Sequence, residues 1–253
     1  MSAEPIKVFW QPWCTSCLKV KEFLTGKGVE YESINVLEGD YGRSEMARLG
    51  AKSIPIVSRG SDFVFAQNLK EVARFVGLDA HGGPDLSPAE LVQTMDRVLN
   101  AALRFVGQMP AEKLQTNLPK RKRSYRVLCH HVFGIPDAFL SAMDGAKFTY
   151  EELVTEPDDS MQTTDQIAAY GRGVKERFGA WWNDLDDTSC DSTVDTYYGD
   201  QSVHDLLERT VWHSAQHTLQ VQALLEDMGI TPDGALGDGD VAGLPLPSHV
   251  WDA

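Results

Sequence analysis

The sequence is poor in basic residues and has no long apolar run. It contains 23 Lys and Arg against 37 Asp and Glu, which gives a formal net charge of −14. This charge repels nucleic acid phosphates and anionic membrane surfaces, so neither is an expected partner. No apolar run approaches the ~20 residues that a membrane-spanning helix needs, and Met1–Pro5 lacks the basic-then-apolar pattern of a signal peptide. We therefore expect a cytoplasmic protein that does not enter a membrane.

Cysteine is also scarce. The 253 residues include four cysteines, at positions 14, 17, 129 and 190, too few and too unevenly spaced for the disulfide framework of a secreted protein. The composition is otherwise that of a globular protein, with 42% hydrophobic and 24% charged residues. At ~100–200 residues per domain, the length favours two domains. The oligomeric state stays open, and a homodimer is compatible with the sequence.

Residues 1–80 alternate between strand and helix patterns. Short apolar or alternating runs predict strands, and apolar residues that recur every three to four positions predict helices. The predicted segments are strand Ile6–Trp10, helix Cys17–Leu24, strand Val29–Val36, helix Arg43–Leu49, strands Ser53–Val57 and Phe63–Ala66, and helix Leu69–Val76. The order β-α-β-α-β-β-α is a complete small α/β fold.

A break rich in glycine and proline, residues 81–86, predicts an interdomain linker, and the chain after it is mostly helical. Ser87 and Glu90 have the spacing of a capping box, and Thr164 and Ser202 are candidate N-caps. The predicted long helices contain Leu91–Val106, Ser124–Met143, Thr164–Leu185 and Ser202–Met228. We expect an all-α four-helix bundle over residues 87–228, with a surface excursion between the last two helices and an irregular acidic tail over residues 229–253.

Two of the cysteines form a Cys-x-x-Cys motif between a predicted strand and a predicted helix. This position places Cys14 at a helix N-terminus, where unpaired backbone N–H groups stabilise a thiolate. Cys14 is therefore the candidate nucleophile. Cys17, one turn later, could attack a mixed disulfide formed on Cys14. Half of a zinc site and a pair of structural thiols are the alternatives, although the chain has no second Cys-x-x-Cys motif.

The segment from Lys7 to Cys17 (KVFWQPWCTSC), together with Ser53–Val57 (SIPIV), resembles a glutaredoxin. The resemblance implies a thioredoxin-like fold over residues 1–80 and a cis Ile54–Pro55 bond that presents backbone to a thiol substrate. It also implies thiol-binding roles for Gln11, Trp13, Ile54 and Pro55. Gln11 stands where glutaredoxins often carry a lysine that binds glutathione, so glutathione and another low-molecular-weight thiol are both candidate partners. An ordinary edge-strand proline is the alternative interpretation of Pro55.

Histidines form a second motif. His213 and His217 are four residues apart on a predicted helix, so both imidazoles can reach one cation. A third ligand is expected from another helix, where His130 and His131 are both candidates. Cys129, beside them, is either a further ligand or a small buried hydrophobic residue.

The stretch from Tyr197 to Gln222 resembles the last helix of the DinB-like superfamily, which includes thiol-dependent maleylpyruvate isomerases and bacillithiol transferases. The likeness extends over about residues 87–228. It implies a divalent metal bound by His131, His213 and His217. The metal could be zinc, which is the first expectation, or nickel, iron or manganese, because open histidine sites accept several ions.

The two resemblances together predict a thiol-dependent metalloenzyme, a transferase, isomerase or lyase. In this hypothesis the bound metal activates a thiol such as glutathione for attack on an electrophilic substrate, and Cys14 and Cys17 carry out thiol-disulfide exchange. Two alternatives remain. One is a redox-responsive, metal-binding regulatory protein, and the other is a glutaredoxin-like disulfide reductase in which the bundle recognises the substrate.

Overall fold

The computed structural model describes residues 4–12, 14–79, 84–118 and 123–251. Its contacts divide the chain into two compact units. The first contains Met1–Gly82 together with Pro245–Ala253, and the second contains Gly83–Leu244. Trp13 and residues 81–83 of the predicted linker lie outside the described residues.

The first unit is a four-stranded mixed sheet with three helices. In chain order its elements are β1 (Ile6–Trp10), α1 (Thr15–Gly26), β2 (Glu32–Asn35), α2 (Tyr41–Leu49), β3 (Ile56–Arg59), β4 (Asp62–Phe65) and α3 (Leu69–Val76). The strand order in the sheet is β2-β1-β3-β4. β1 pairs in parallel with β2 and antiparallel with β3, and β3 pairs antiparallel with β4. The predicted α/β thioredoxin-like fold and the predicted order of elements are confirmed.

Alternating side chains of the sheet build two small cores. Successive residues of a strand point to opposite faces, so Val8 and Phe9 of β1 enter different clusters. Val8 packs with Val20 and Leu24 of α1. Phe9 packs with Ile34 and Ile56. The apolar stripe of α1 that the sequence indicates therefore covers one face of the sheet.

The second unit is built around four long helices. They are α4 (Pro88–Gln108), α5 (Tyr125–Met143), α7 (Thr164–Asn183) and α8 (Val203–Asp227), and a short helix, α6 (Tyr150–Leu153), lies between α5 and α7. α8 packs against α4 and α5, and α7 packs against the same two helices. The predicted four-helix bundle is confirmed. Within the described ranges, no helix combines the length and the hydrophobicity needed to cross a bilayer.

Two of the three predicted N-caps are confirmed. Ser87 and Glu90 form the predicted capping box of α4, and the Ser202 side chain accepts a hydrogen bond from the Asp205 backbone N–H at the start of α8. The predicted cap Thr164 is wrong by one residue. The N-cap of α7 is Thr163, because its side chain and that of Gln166 form a reciprocal capping box.

The second unit is not purely helical. A hairpin of β5 (Thr193–Thr196) and β6 (Gly199–Ser202) lies in the predicted surface excursion and leads directly into α8. Burial of its inward side chains stabilises the hairpin: Val194, Thr196 and Tyr198 are 9%, 2% and 6% exposed. The four-helix bundle therefore carries a small two-stranded sheet before its last helix.

The segment after α8 contains one short 3-10 helix, Asp238–Asp240, and its two parts belong to different units. The first part packs on the bundle, where Arg104 donates hydrogen bonds to the backbone carbonyls of Asp233 and Gly234. The second part packs on the first unit, where the backbone N–H and the hydroxyl of Ser248 both donate to the Glu22 carboxylate of α1. No local residue pattern indicates this long-range pairing.

Two glycines of α7 provide a test of the bundle packing. An alanine Cβ at Gly171 would lie 2.7 Å from ring carbons of Phe133, which is fully buried. We expect Gly171→Ala to lower the free energy of unfolding by about 1–3 kcal/mol through overpacking. Gly173→Ala, whose Cβ meets nothing within 4 Å, should raise it by up to about 1 kcal/mol through helix propensity. Urea unfolding followed by the helical circular dichroism signal measures both, and equal effects would contradict the packing.

Candidate metal centre and redox site

The Cys-x-x-Cys motif lies at the start of α1. Cys14 is the N-cap residue, and its Sγ accepts a hydrogen bond of 3.3 Å from the backbone N–H of Cys17. Cys14 and Cys17 form a disulfide, with their Cα atoms 5.1 Å apart. Cys14 is partly exposed, whereas Cys17 is fully buried. This difference in exposure suits an attacking thiol that meets the substrate and a second thiol that acts after it.

The sheet brings Pro55 to the same end of its strands as the Cys-x-x-Cys motif. Because β1 and β3 are antiparallel and Phe9 pairs with Ile56, the end of β1 that leads to Cys14 lies beside the start of β3. Pro55 immediately precedes that start, and the Ile54–Pro55 bond is cis, which confirms the predicted isomer. The Pro55 carbonyl accepts a hydrogen bond of 2.9 Å from the Ala66 N–H. Pro55 therefore lies at the same end of the two central strands as the Cys-x-x-Cys motif.

The other predicted thiol-binding residues occupy different surroundings. Gln11 directly follows β1 and is partly buried. Ile54 packs against the core around Phe9, and its carbonyl accepts a hydrogen bond of 3.5 Å from the Gln67 side chain. Positive charge lies close to β1, where Lys21 Nζ is 3.8 Å from the centroid of the Trp10 ring.

Three histidines of the second unit form a buried cluster. One candidate ligand nitrogen from each of His131, His213 and His217 lies within 4.8 Å of the other two. The ring centroids are 5.5 Å apart for His131 and His213, 4.8 Å for His131 and His217, and 4.9 Å for His213 and His217. Their exposed fractions are only 4%, 8% and 4%. The three imidazoles predicted as ligands are thus brought together inside the bundle.

Two helices position this cluster. His213 and His217 are one turn apart on α8, and His131 comes from α5. A buried hydrogen bond of 3.1 Å from Ser214 Oγ to the Val132 carbonyl joins the same two helices beside the histidines. Ser214 follows His213 and Val132 follows His131, so this bond fixes the register in which the ligands meet.

His130 and Cys129 have other surroundings. Successive helix residues are separated by ~100° around the axis, and the His130 ring stacks on Tyr170 of α7 at 4.8 Å. Burial lowers the pKa of His130 to about 4, so the imidazole is neutral. Cys129 is fully buried, and burial raises the pKa of its thiol to about 12. Neither residue belongs to the cluster.

The donor set of the cluster fits a divalent cation. Zinc and related ions bind neutral imidazole nitrogens at ~2.1 Å, which places ligands of a tetrahedral site ~3.4 Å apart. The separations in the cluster exceed this by little more than 1 Å, so side-chain rotation is sufficient to close them. No carboxylate of the described residues joins the three histidines. A bound ion would therefore keep its positive charge and have a coordination position for a further ligand.

Sequence reasoning missed one polar neighbour of the cluster. The Nδ1 atom of His217 lies 2.7 Å from Oε1 of Gln220, three residues later on α8. The i,i+3 spacing on one helix face could have indicated this pair. His204, at the start of α8, does not belong to the cluster. Its Nε2 lies 2.8 Å from the Leu86 carbonyl oxygen.

The cysteines predict a simple pattern of thiol labelling. Cys129 and Cys190 are buried, and burial together with nearby Asp187 raises the pKa of the Cys190 thiol. The native oxidised protein should therefore react slowly with a thiol reagent. Mild reduction should expose one fast-reacting thiol, that of the partly exposed Cys14, and the thiol of the fully buried Cys17 should react more slowly. Urea-unfolded protein, with two reactive thiols before reduction and four after it, is the control, and fast native labelling of Cys190 would contradict the assignment.

Comparisons with known proteins agree with the two units. A family model described as Glutaredoxin matches residues 6–64, and a model described as the DinB family matches residues 81–238. The chain is also 28% identical over 72 residues to an "Uncharacterized glutaredoxin-like 8.6 kDa protein in rubredoxin operon" of Clostridium pasteurianum. That match covers 28% of this chain and 96% of the clostridial protein.

The DinB match covers more than half of the chain, and the three buried histidines lie within it. Family and donor set together support binding of a divalent metal, and the glutaredoxin match supports a role in thiol chemistry. The chain belongs to the DinB family and carries a glutaredoxin domain ahead of its DinB region.

Proposed function

We propose that this protein is a thiol-dependent metalloenzyme, a transferase, isomerase or lyase, that couples its reaction to thiol-disulfide exchange at Cys14 and Cys17. The observation that carries the proposal is the buried cluster of His131, His213 and His217 in a chain that also has a Cys-x-x-Cys motif at a helix N-terminus. The substrates are a low-molecular-weight thiol such as glutathione and an electrophile. The cytoplasm, which the sequence favours, supplies such thiols.

The bundle provides the binding part of this chemistry. A divalent metal held by three neutral imidazoles supplies a Lewis acid that lowers the pKa of a thiol bound to it. The histidines contribute no charge of their own, and their burial keeps bulk water away from the donor atoms. In the reaction the thiol loses its proton to solvent and its sulfur forms a bond to the β-carbon of an α,β-unsaturated carbonyl compound, while the carbon–carbon π bond breaks and the α-carbon takes up a proton from solvent. Zinc fits this donor set best, and nickel, iron and manganese are the alternatives.

The Cys-x-x-Cys motif provides the redox part. The Cys14 thiolate attacks a disulfide RSSR, forms a Cys14–SR bond and releases one RS⁻. The Cys17 thiolate then attacks Cys14 Sγ, forms the Cys14–Cys17 disulfide and releases the second RS⁻. The substrate gains two electrons and the cysteine pair loses two. Two equivalents of a second, more strongly reducing thiol restore the reduced pair and become a disulfide themselves.

A shared thiol connects the two parts. A thiol that the bundle uses must be present in its reduced form, since a disulfide has no sulfur that can be deprotonated. The cysteine pair acts on disulfides of the same class and on mixed disulfides that form from them. The partially exposed Cys14 and the strand end at Pro55 support a small disulfide or an extended thiol peptide as its substrate.

The metal part of the proposal is tested at His213. Purified wild-type protein should contain about one equivalent of divalent metal by elemental analysis, and His213→Ala should retain at most a few per cent, because two ligands hold the ion far more weakly than three. Thiol-dependent turnover of an α,β-unsaturated carbonyl compound should disappear with the metal.

His204→Ala is the matched control for this experiment. His204 lies on the same helix but donates to the Leu86 carbonyl and is not part of the cluster, so the variant should keep its metal. Full turnover by a metal-free His213→Ala protein would refute the proposed mechanism. If the wild-type protein contains no metal, the remaining hypothesis is a disulfide reductase whose bundle recognises the substrate. If it contains metal but shows no turnover, the regulatory alternative is favoured.

The redox part is tested by single serine substitutions. Cys14→Ser should abolish reduction of a glutathione mixed disulfide, because it removes the nucleophile. Cys17→Ser should still form the mixed disulfide on Cys14 and should accumulate it, since the resolving thiol is missing. Mass spectrometry of the intact protein measures the added glutathione. Cys190→Ser is the control, and a Cys14→Ser protein that keeps wild-type reductase activity would contradict the assigned roles.

A further inference from the structure

One polar side chain contacts the histidine cluster without belonging to it. Gln220 is on α8, three residues after His217, and is 4% exposed. Its Oε1 atom lies 2.7 Å from Nδ1 of His217, in a buried hydrogen bond. The pair is local to one helix, so it forms wherever α8 forms and does not depend on the packing of α8 against α5.

This contact determines where the imidazole proton is. An amide oxygen only accepts hydrogen bonds, so Nδ1 of His217 must be the donor and must carry the proton. The neutral ring then has its lone pair on Nε2. A metal binds only an unprotonated ring nitrogen, and the hydrogen bond of the other nitrogen selects which one is available.

The geometry points to Gln220 as a positioning residue that holds His217 as the Nδ1–H tautomer and presents Nε2 as its ligand atom. This inference rests on the proposed metal site. The hydrogen bond also fixes the rotation of the His217 ring, which would otherwise turn about its side-chain bond. The amide carries no charge, so Gln220 orients the ligand while the donor set remains three neutral imidazoles.

Metal affinity is the first test. Gln220→Leu has similar volume and lacks the acceptor, and Zn²⁺ affinity measured by competition with a chromophoric chelator should fall about 10- to 100-fold. Gln220→Glu keeps an acceptor oxygen at the same position and should bind Zn²⁺ at least as tightly as the wild type. This rescue by the conservative variant separates positioning from simple filling of space.

Gln222→Leu is the matched control. Gln222 is two residues further along α8, and its side chain bonds to the backbone N–H and carbonyl of Leu236 rather than to a histidine. Its replacement should lower stability without changing Zn²⁺ affinity. Equal loss of affinity in Gln220→Leu and Gln222→Leu would show a general effect of helix packing and would overturn the inference.

The tautomer itself is observable in the metal-free protein. Long-range ¹H–¹⁵N correlation spectra at mildly alkaline pH should show His217 protonated at Nδ1 in the wild type and in Gln220→Glu, with a shift toward Nε2–H in Gln220→Leu. An Nε2–H tautomer in the wild type would overturn the inference even if a variant failed to fold. Absence of Zn²⁺ binding by the wild type would instead refute the proposed metal site, so the two failures are distinguishable.

Discussion

The packing of α5 against α8 is the interaction on which the histidine cluster depends. His213 and His217 share one helix face, but His131 reaches them only in the register fixed by the Ser214 to Val132 hydrogen bond. A displacement by one residue would turn the ligand face away by ~100°. His130 illustrates this, because it is adjacent to His131 and yet stacks on Tyr170 of the opposite helix. The candidate metal centre is therefore a property of helix packing as much as of residue identity.

In the first unit, the pairing of strands positions the residues of the candidate redox site. Antiparallel pairing of β1 with β3 places the segment that leads to Cys14 beside the segment that contains Pro55. The start of α1 adds the backbone N–H of Cys17 at the Cys14 sulfur. A glutaredoxin domain and a DinB region in one chain thus combine a domain for thiol chemistry with a candidate metal centre. The proposed common thiol substrate would explain why the two units occur in one chain.

Sequence patterns predicted helix bounds and caps correctly where contacts within a single helix determine them. The helix α3 spans Leu69–Val76 as its apolar period and Gly77 indicated, and the Ser87 capping box is present. Where longer-range packing decides, the sequence was less informative. The hairpin before α8 is stabilised by burial of alternate side chains of β5, and its second strand, Gly199–Ser202, has little β propensity of its own. The pairing of Ser248 with Glu22 joins residues from opposite ends of the chain, for which no pattern exists.

The sequence by itself determined the two folds and the residue types of both candidate sites. Periodicity, caps and the spacings within Cys-x-x-Cys and His-x-x-x-His are local, and they follow from the geometry of a single helix. Only the tertiary structure decided that His131 rather than His130 joins the cluster and that Cys129 is an isolated buried thiol. These outcomes depend on how helices rotate and pack against one another, and that arrangement is set by the whole core rather than by any short segment.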